Sequence, residues 1–169
     1  MAAGTAAAQG ARVTVLERNE KAGKKLYITG KGRCNVTNVA DGAEFLKSVV
    51  TNEKFLYGAL HTFSPRDTVD LLERYGVPTK VERGGRVFPV SDKSSDVIRA
   101  LVAYCVEYGV CFRYGCRVEA VEKSKGGFAV RYAGASLDCD RVILATGGLS
   151  YPTTGSTGDG YTFAKRLGH

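Results

Sequence analysis

An α/β core carrying an inserted layer is the fold class that three observations in this sequence predict. The first is Arg12-Val-Thr-Val-Leu16, a short apolar run that ends on Glu17. The second is a later apolar run, Arg141-Val-Ile-Leu-Ala145, closed by Thr146-Gly147-Gly148. The third is the order of parts: helix, strand, long excursion, apolar strand, glycine-rich loop, helix. Apolar runs without alternation suit parallel strands buried on both faces, and helices must then cover those faces.

The elements follow in order. Met1 to Gly10 is small and apolar and reads as the body of a helix that stops at Gly10. Arg12 to Leu16 is the parallel strand, and a loop runs from Arg18 to about Asp41. Residues 44 to 60 can form a helix. A clearer one starts at Ser64-Pro65-Arg66-Asp67, which supplies an N-cap, a proline at the first position and an acid at the third. Val69, Leu72 and Tyr75 share one face of it, and Gly76 ends it. Residues 77 to 90 read as two strands around Gly84-Gly85, a hairpin signal. The next helix spans about Ser95 to Tyr108, burying Ile98, Leu101, Val102 and Cys105, with Gly109 as its stop. Three or four strands follow, separated by Gly126-Gly127 and Gly134, and Arg141 to Ala145 is the last. Residues 151 to 169 then form a glycine-rich loop opening a final helix.

Composition narrows the classes. A chain of 169 residues can bury a sizeable core as one domain. No apolar run approaches the roughly 18 residues of a membrane span, and the start lacks the basic leader of a signal peptide. Five cysteines, without a C-x-x-C pair, suit a reduced cytoplasmic setting and give no metal-ligand cluster. Gly23-Lys24 lacks the flanking residues of a phosphate loop. His61 and His169 stand without a nucleophile at a recognisable spacing, so a hydrolase triad has no support.

The formal charge is +7 and it is uneven, because Lys21, Lys24, Lys25, Lys31 and Arg33 fall within thirteen positions. They lie on a glycine-rich stretch, residues 23 to 38, with little helical or strand periodicity. Basic side chains on pliable backbone suggest an anionic ligand that both must approach. Glu17 ends a parallel strand, where an acid accepts hydrogen bonds from a ribose in dinucleotide folds, although strand-end acids also serve solubility. Thr146-Gly147-Gly148 lets backbone approach a ligand at the carboxyl edge of a sheet, or simply turns the chain. Thr157-Gly158-Asp159-Gly160 opens a helix with free amides suited to an anion, or with Asp159 as its cap. Cys34 lies between Arg33 and Asn35, where either a favoured thiolate or a buried packing role is open, packing being the commoner fate.

Residues 15 to 38, 86 to 97 and 145 to 169, in that order, resemble a bacterial family of NAD(P)/FAD-dependent oxidoreductases similar to aminoacetone oxidase and bile-acid reductases. The resemblance covers nearly the whole chain and implies a Rossmann-like FAD-binding domain with an inserted hairpin and helices. The core is placed at residues 1–41 and 110–169, with 42–109 inserted. It further implies that the anion is the FAD pyrophosphate. Glu17, with Arg18 beside it, would hold the adenosine ribose, and Lys24 and Lys25 would flank the phosphates. Gly30, Gly32, Arg33, Cys34 and Asn35 would lie near the ribityl chain and flavin, and Val118 beside adenine. Thr146, Gly147 and Gly148 would border the cofactor, and the loop Thr157, Gly158, Asp159, Gly160 would approach the ring system. NAD(P)H is the expected reductant and a small organic molecule or oxygen the acceptor, with no nucleic-acid or membrane partner.

Members of that family begin with a strand and a G-x-G-x-x-G turn, and this chain shows neither. Glu17 belongs about 20 residues after such a turn, so the chain is expected to lack the first strand of the fold and to be a truncated piece. Such a piece would hold FAD weakly and be inactive by itself. A non-catalytic nucleotide- or nucleic-acid-binding module using residues 21–33 is the alternative, although Tyr27 is the one aromatic in that cluster available for stacking on bases.

Overall fold

The computed structural model describes residues 1–169. Along the chain the elements run α1 (Ala2–Ala8), β1 (Thr14–Leu16), α2 (Lys24–Tyr27), β2 (Thr37–Asn38), α3 (Gly42–Lys47), α4 (Tyr57–Thr62), α5 (Pro65–Arg74), β3 (Thr79–Glu82) and β4 (Arg86–Pro89). They continue as α6 (Ser94–Glu107), β5 (Cys111–Arg113), β6 (Val118–Ser124), β7 (Gly127–Tyr132), β8 (Ala135–Cys139) and α7 (Asp159–Arg166). Two compact units result: Met1–Lys25 with Cys105–His169, and Leu26–Tyr104. None of the helices is long and apolar enough to cross a membrane.

In the first unit β1 pairs in parallel with β5, from Thr14 opposite Cys111 to Leu16 opposite Arg113. The ladder runs on past the strands. Glu17 N donates to Arg113 O (2.9 Å), and Cys116 N donates to Glu17 O (2.9 Å). The parallel strand expected at residues 12–16 is therefore present, but half-buried rather than enclosed, because its sheet has two strands. β6, β7 and β8 form an antiparallel meander. Its second turn places Ala133 and Gly134 both at positive φ (45° and 76°), the handedness that tight hairpins require. Val121 and Val130 of the meander bury against Phe163 of α7, with Leu16, Val118, Phe128, Val142 and Leu167 packed around them. Each such large apolar side chain contributes about 1.5–3 kcal/mol when fully buried.

Residues 141–145 do not form the strand their apolarity suggests. Val142 packs on the Val121–Phe163 cluster, yet Ile143 is 60% exposed and Leu144 37%. Apolar side chains favour burial, but a strand also needs a neighbour for its amides and carbonyls. β1 and β5 bond to each other, and no third parallel strand joins them.

In the second unit, β4 lies between β2 and β3. The hairpin turn is Gly84-Gly85 with φ of 78° and 71°, a pair that residues with a Cβ adopt only under strain. α5 starts at the expected capping box: Ser64 Oγ accepts from Asp67 N (3.2 Å) while Ser64 N donates to the Asp67 carboxylate (2.6 Å). The helix expected over residues 44–60 is broken into α3 and α4, because Asn52 takes a left-handed conformation (φ 56°) between them.

α6 is present, but its inward face is turned by about one residue. Val97, Ala100 and the expected Cys105 are buried, whereas Ile98, Leu101 and Val102 are only half-buried, Leu101 packing beside Val97 and Ala100. The cause is polar: Ser94 is buried and its Oγ donates to Tyr27 O (2.8 Å), which sets the rotation of the helix. Residues 26–41 pack with this second unit. Cys34 joins Leu72, Val77, Val97 and Ala100 in one cluster, and Val36 N donates to Val87 O (2.8 Å).

Candidate functional site

The carboxyl end of β1 carries Glu17, Arg18 and Asn19 in succession, and each side chain has a separate task. Glu17 Oε1 accepts from Asn19 N and from Asn19 Nδ2, both at 2.8 Å, while no protein group bonds to Oε2. Asn19 Nδ2 also donates to Thr154 O (3.1 Å). Arg18 Nη1 donates to Thr157 Oγ1 (2.8 Å) and lies 3.5 Å from Asp159 Oδ2. The strand end is thereby bound to the loop that opens α7, and a carboxylate oxygen with acceptor capacity is left beside it. Ligands of open α/β folds bind at this edge.

The glycines of the loop have a packing reason. A Cβ at Gly155 would meet Arg18 Cδ at 3.0 Å, and one at Gly158 would meet Leu149 Cδ2 at 2.6 Å. One at Gly147 would meet Ser156 Oγ at 2.9 Å, and one at Gly160 would collide with Thr146 Oγ1. Residues 146–148 and 155–160 thus lie against each other with backbone in place of side chains. Gly148, by contrast, has only Tyr161 Oη near it, at 3.6 Å. α7 begins after Gly158 (φ 80°) with no side chain capping its first amides, and Asp159 occupies the first helical position rather than the cap. Those amides keep the capacity to bind an anion.

Val118 lines an open cleft of about 310 Å³ between β6 and α7, together with Arg117, Glu119, Asp159, Thr162, Phe163 and Arg166. Phe163 is buried and gives the cleft an apolar wall, and Arg117 and Arg166, both exposed, also line it. Lys25 Nζ donates to Ser150 O (2.8 Å) and Oγ (2.9 Å) and lies 4.9 Å from the centroid of the Tyr151 ring. Lys24 makes a long surface contact with Glu20 (3.9 Å). Glu17, Arg18, Lys25, Thr157, Gly158 and Asp159 are thus linked within the first unit, and Val118 shares the Asp159 cleft.

Gly30, Gly32, Arg33, Cys34 and Asn35 lie in the second unit, in a turn of unusual backbone. Gly30, Lys31, Gly32 and Cys34 all have positive φ, of 55°, 58°, 87° and 61°. Arg33 is held by acids: its guanidinium contacts Glu82 and Asp92 and stacks 4.3 Å over Phe88, and Lys80 donates to Asp92 (2.6 Å). Glu82 is held below the usual carboxylate range, first by its bond from Arg33, and Asp92 likewise by Lys80 and then Arg33. Cys34 is fully buried, and burial pushes its thiol up while a bond with Thr29 opposes. A neutral packed thiol is the state this favours. Asn35 anchors the turn, its amide nitrogen donating to Val87 O (3.3 Å) and Thr37 O (3.2 Å) in the orientation that satisfies both groups.

Three residues escaped the sequence reading. Asn19, Ser150 and Tyr151 lie inside the stretches that carry the resemblance but were not singled out, and their roles depend on contacts more than a hundred positions away. The Glu17-x-Asn19 spacing, which lets the Glu17 carboxylate accept from the backbone amide two residues on, was the one available signal.

The model of the HI0933-like protein Rossmann domain matches residues 1–169. A relative from Clostridium scindens, the 3-dehydro-bile acid delta(4,6)-reductase, is 38% identical over 94% of this chain and 38% of its own length. The ribosomal RNA dihydrouridine synthase of Escherichia coli is 32% identical over 94% of this chain and 39% of its own. The chain spans about two fifths of the length of these curated relatives. Among solved structures, Thermovibrio ammonificans THI4 is similar over 78% of this chain and 42% of its own, with 14% identity and a TM-score of 0.46.

Proposed function

The chain belongs to the HI0933-like family of Rossmann domains, and on that premise we propose that it is the FAD-binding part of an oxidoreductase that reduces a carbon–carbon double bond conjugated to a carbonyl. The observation that carries this reading is the clasp at the end of β1. Glu17 keeps one carboxylate oxygen unbonded while Arg18 and Asn19 hold the α7 loop beside it. A dinucleotide fits this donor set. Glu17 would accept from the ribose hydroxyls, and the uncapped amides of α7 and the close-packed glycines would face anionic or polar parts of the cofactor.

Bound FAD would supply two-electron transfer, and the protein residues would supply position and electrostatics. NAD(P)H is the proposed source of the electrons. The substrate class comes from chemistry shared by two relatives' names. A 3-dehydro steroid with 4,6-unsaturation and a uracil ring both contain an olefin polarised by a carbonyl. A small organic molecule of this kind is the proposed substrate, and five free cysteines support a cytoplasmic setting.

A second reading places the olefin in RNA. It is favoured by the charge of the first unit, which carries thirteen Lys and Arg against eight Asp and Glu. Binding of a ribosomal RNA fragment at two salt concentrations separates the two, since a phosphate-led partner binds far more weakly at high salt.

The test of the main reading is an equilibrium titration of the full-length protein with FAD, followed by flavin fluorescence. Saturable binding that Glu17→Gln weakens supports it. Binding indifferent to Glu17→Gln removes the ribose role, and no binding removes the cofactor assignment.

A further inference from the structure

We propose that the free edge of β1 and residues 141–145 flank a slot for one more parallel strand, filled by an extended apolar segment of the same polypeptide that leads into α1. The hydrogen bonds of β1 carry this inference. Val13 O accepts from Cys111 N (3.0 Å), Glu17 N donates to Arg113 O (2.9 Å), and Glu17 O accepts from Cys116 N (2.9 Å). Successive residues of a strand direct their amides and carbonyls to opposite edges, so the odd-numbered residues serve β5. Thr14 and Leu16 direct theirs to the other edge, where no group of the chain bonds to them. Both residues are half-buried, and unpaired backbone in such a place is costly. An edge of this kind pairs readily with an added strand.

Residues 141–145 supply the other wall. Val142 packs on the cluster of Val121, Val130 and Phe163, and so does Leu16 of β1. Beyond that cluster both segments reach the loop before α7. Arg18 donates to Thr157 Oγ1 and Asn19 to Thr154 O, while Gly147 lies against Ser156 and Gly160 against Thr146. The two segments therefore cross one cluster toward one loop, yet they share no ladder. The backbone of residues 142–148 makes no hydrogen bond, and Ile143 and Leu144 are exposed. A strand between the walls would find donors and acceptors on both sides. Its apolar side chains would continue the faces that Val142, Ile143 and Leu144 begin.

Direction and source follow from α1, which ends at Ala8 before β1 begins at Thr14. Parallel neighbours are joined by a crossover, usually a helix. From β1 the chain reaches β5 only by way of the second unit, so α1 serves neither strand of the existing pair as their connection. It is placed instead to enter β1 from a strand on the opposite edge, and a crossover of this kind sets the two strands parallel.

Hydrogen exchange in the full-length protein without FAD tests the slot, so failure of cofactor binding does not bear on the result. The amides of Thr14 and Leu16 are expected to exchange within about tenfold of Glu17, whose amide bonds to β5. Exchange of both at the rate of an unstructured chain, with Glu17 still protected, would overturn the proposal. Protection that rises with protein concentration would overturn it too, by giving the slot to a second copy. Photolysis of the Leu144→p-benzoylphenylalanine variant identifies the occupant, at a side chain whose exposure spares the core. The expected product is a monomer cross-linked to an apolar segment that precedes α1. A cross-linked dimer, a cross-link confined to residues 1–169, or no cross-link would overturn the assignment.

Discussion

Arg18 Nη1 donates to Thr157 Oγ1 at 2.8 Å, joining the end of the first strand to the loop before the last helix across 139 positions. With Asn19 on Thr154, this bond gathers motifs from both ends of the chain at one strand edge. Arg18→Met should cost about 1 kcal/mol of stability, the usual net worth of such a hydrogen bond. Its larger expected effect is on FAD affinity, because the loop loses its tether. Urea unfolding and FAD titration on the same variant check the two effects separately.

Gly147 and Gly109 both have positive φ, 75° and 76°, but a Cβ built at Gly147 meets Ser156 Oγ at 2.9 Å, on a buried residue, whereas one at Gly109 meets nothing. Gly147→Ala should therefore destabilise by about 1–3 kcal/mol, combining backbone strain with a clash. Gly109→Ala bears the strain alone and should cost about 1 kcal/mol. Denaturant midpoints at constant slope report the difference.

Cys34 is buried in an apolar cluster, whereas Cys111 is exposed. A thiol-reactive disulfide reagent added to the native protein should label Cys111 quickly and Cys34 only after unfolding. Cys34→Ser should cost about 1–3 kcal/mol, since the buried hydroxyl loses water without a full set of partners. Fast labelling of Cys34 under native conditions would argue for an exposed thiolate instead.

The Arg33, Glu82, Asp92 and Lys80 cluster sets a pH dependence. Both carboxyls have folded-state pKa values below their unfolded ones, Glu82 through Arg33 and Asp92 through Lys80 and Arg33. Such groups add stability above the unfolded pKa and lose it as pH falls through the folded one. The melting temperature of the wild type should thus begin to fall below about pH 4.5, near ordinary carboxylate values. Arg33→Gln should start lower and lose less over the same interval, and thermal scans from pH 6 to pH 3 measure it.

Much of this architecture could be read from local chemistry. Ser64 to Asp67 forms its capping box and Gly84-Gly85 turns a hairpin, because both depend on residues a few positions apart. The parallel placement of residues 14–16 also follows from their apolar run. Where the reading departed from the structure, the deciding partner was distant. Arg141 to Ala145 has strand composition but no ladder, and α6 is rotated by the bond from Ser94 to Tyr27. Asn52 breaks the helix expected over residues 44–60 by a backbone choice its neighbours do not signal. At the candidate site the acid and the glycines were visible as motifs, whereas the clasp by Arg18 and Asn19 and the Lys25–Tyr151 pair required the fold.

The most direct test of the central claim is FAD binding at equilibrium by the wild type and by Glu17→Gln, measured through quenching of flavin fluorescence. A hydrogen bond to a charged group is worth about 1.5–3 kcal/mol, so the account predicts saturable binding that Glu17→Gln weakens at least about tenfold. Equal affinity for the two proteins would contradict it, because the free carboxylate oxygen at the end of the first strand would then hold no part of the cofactor.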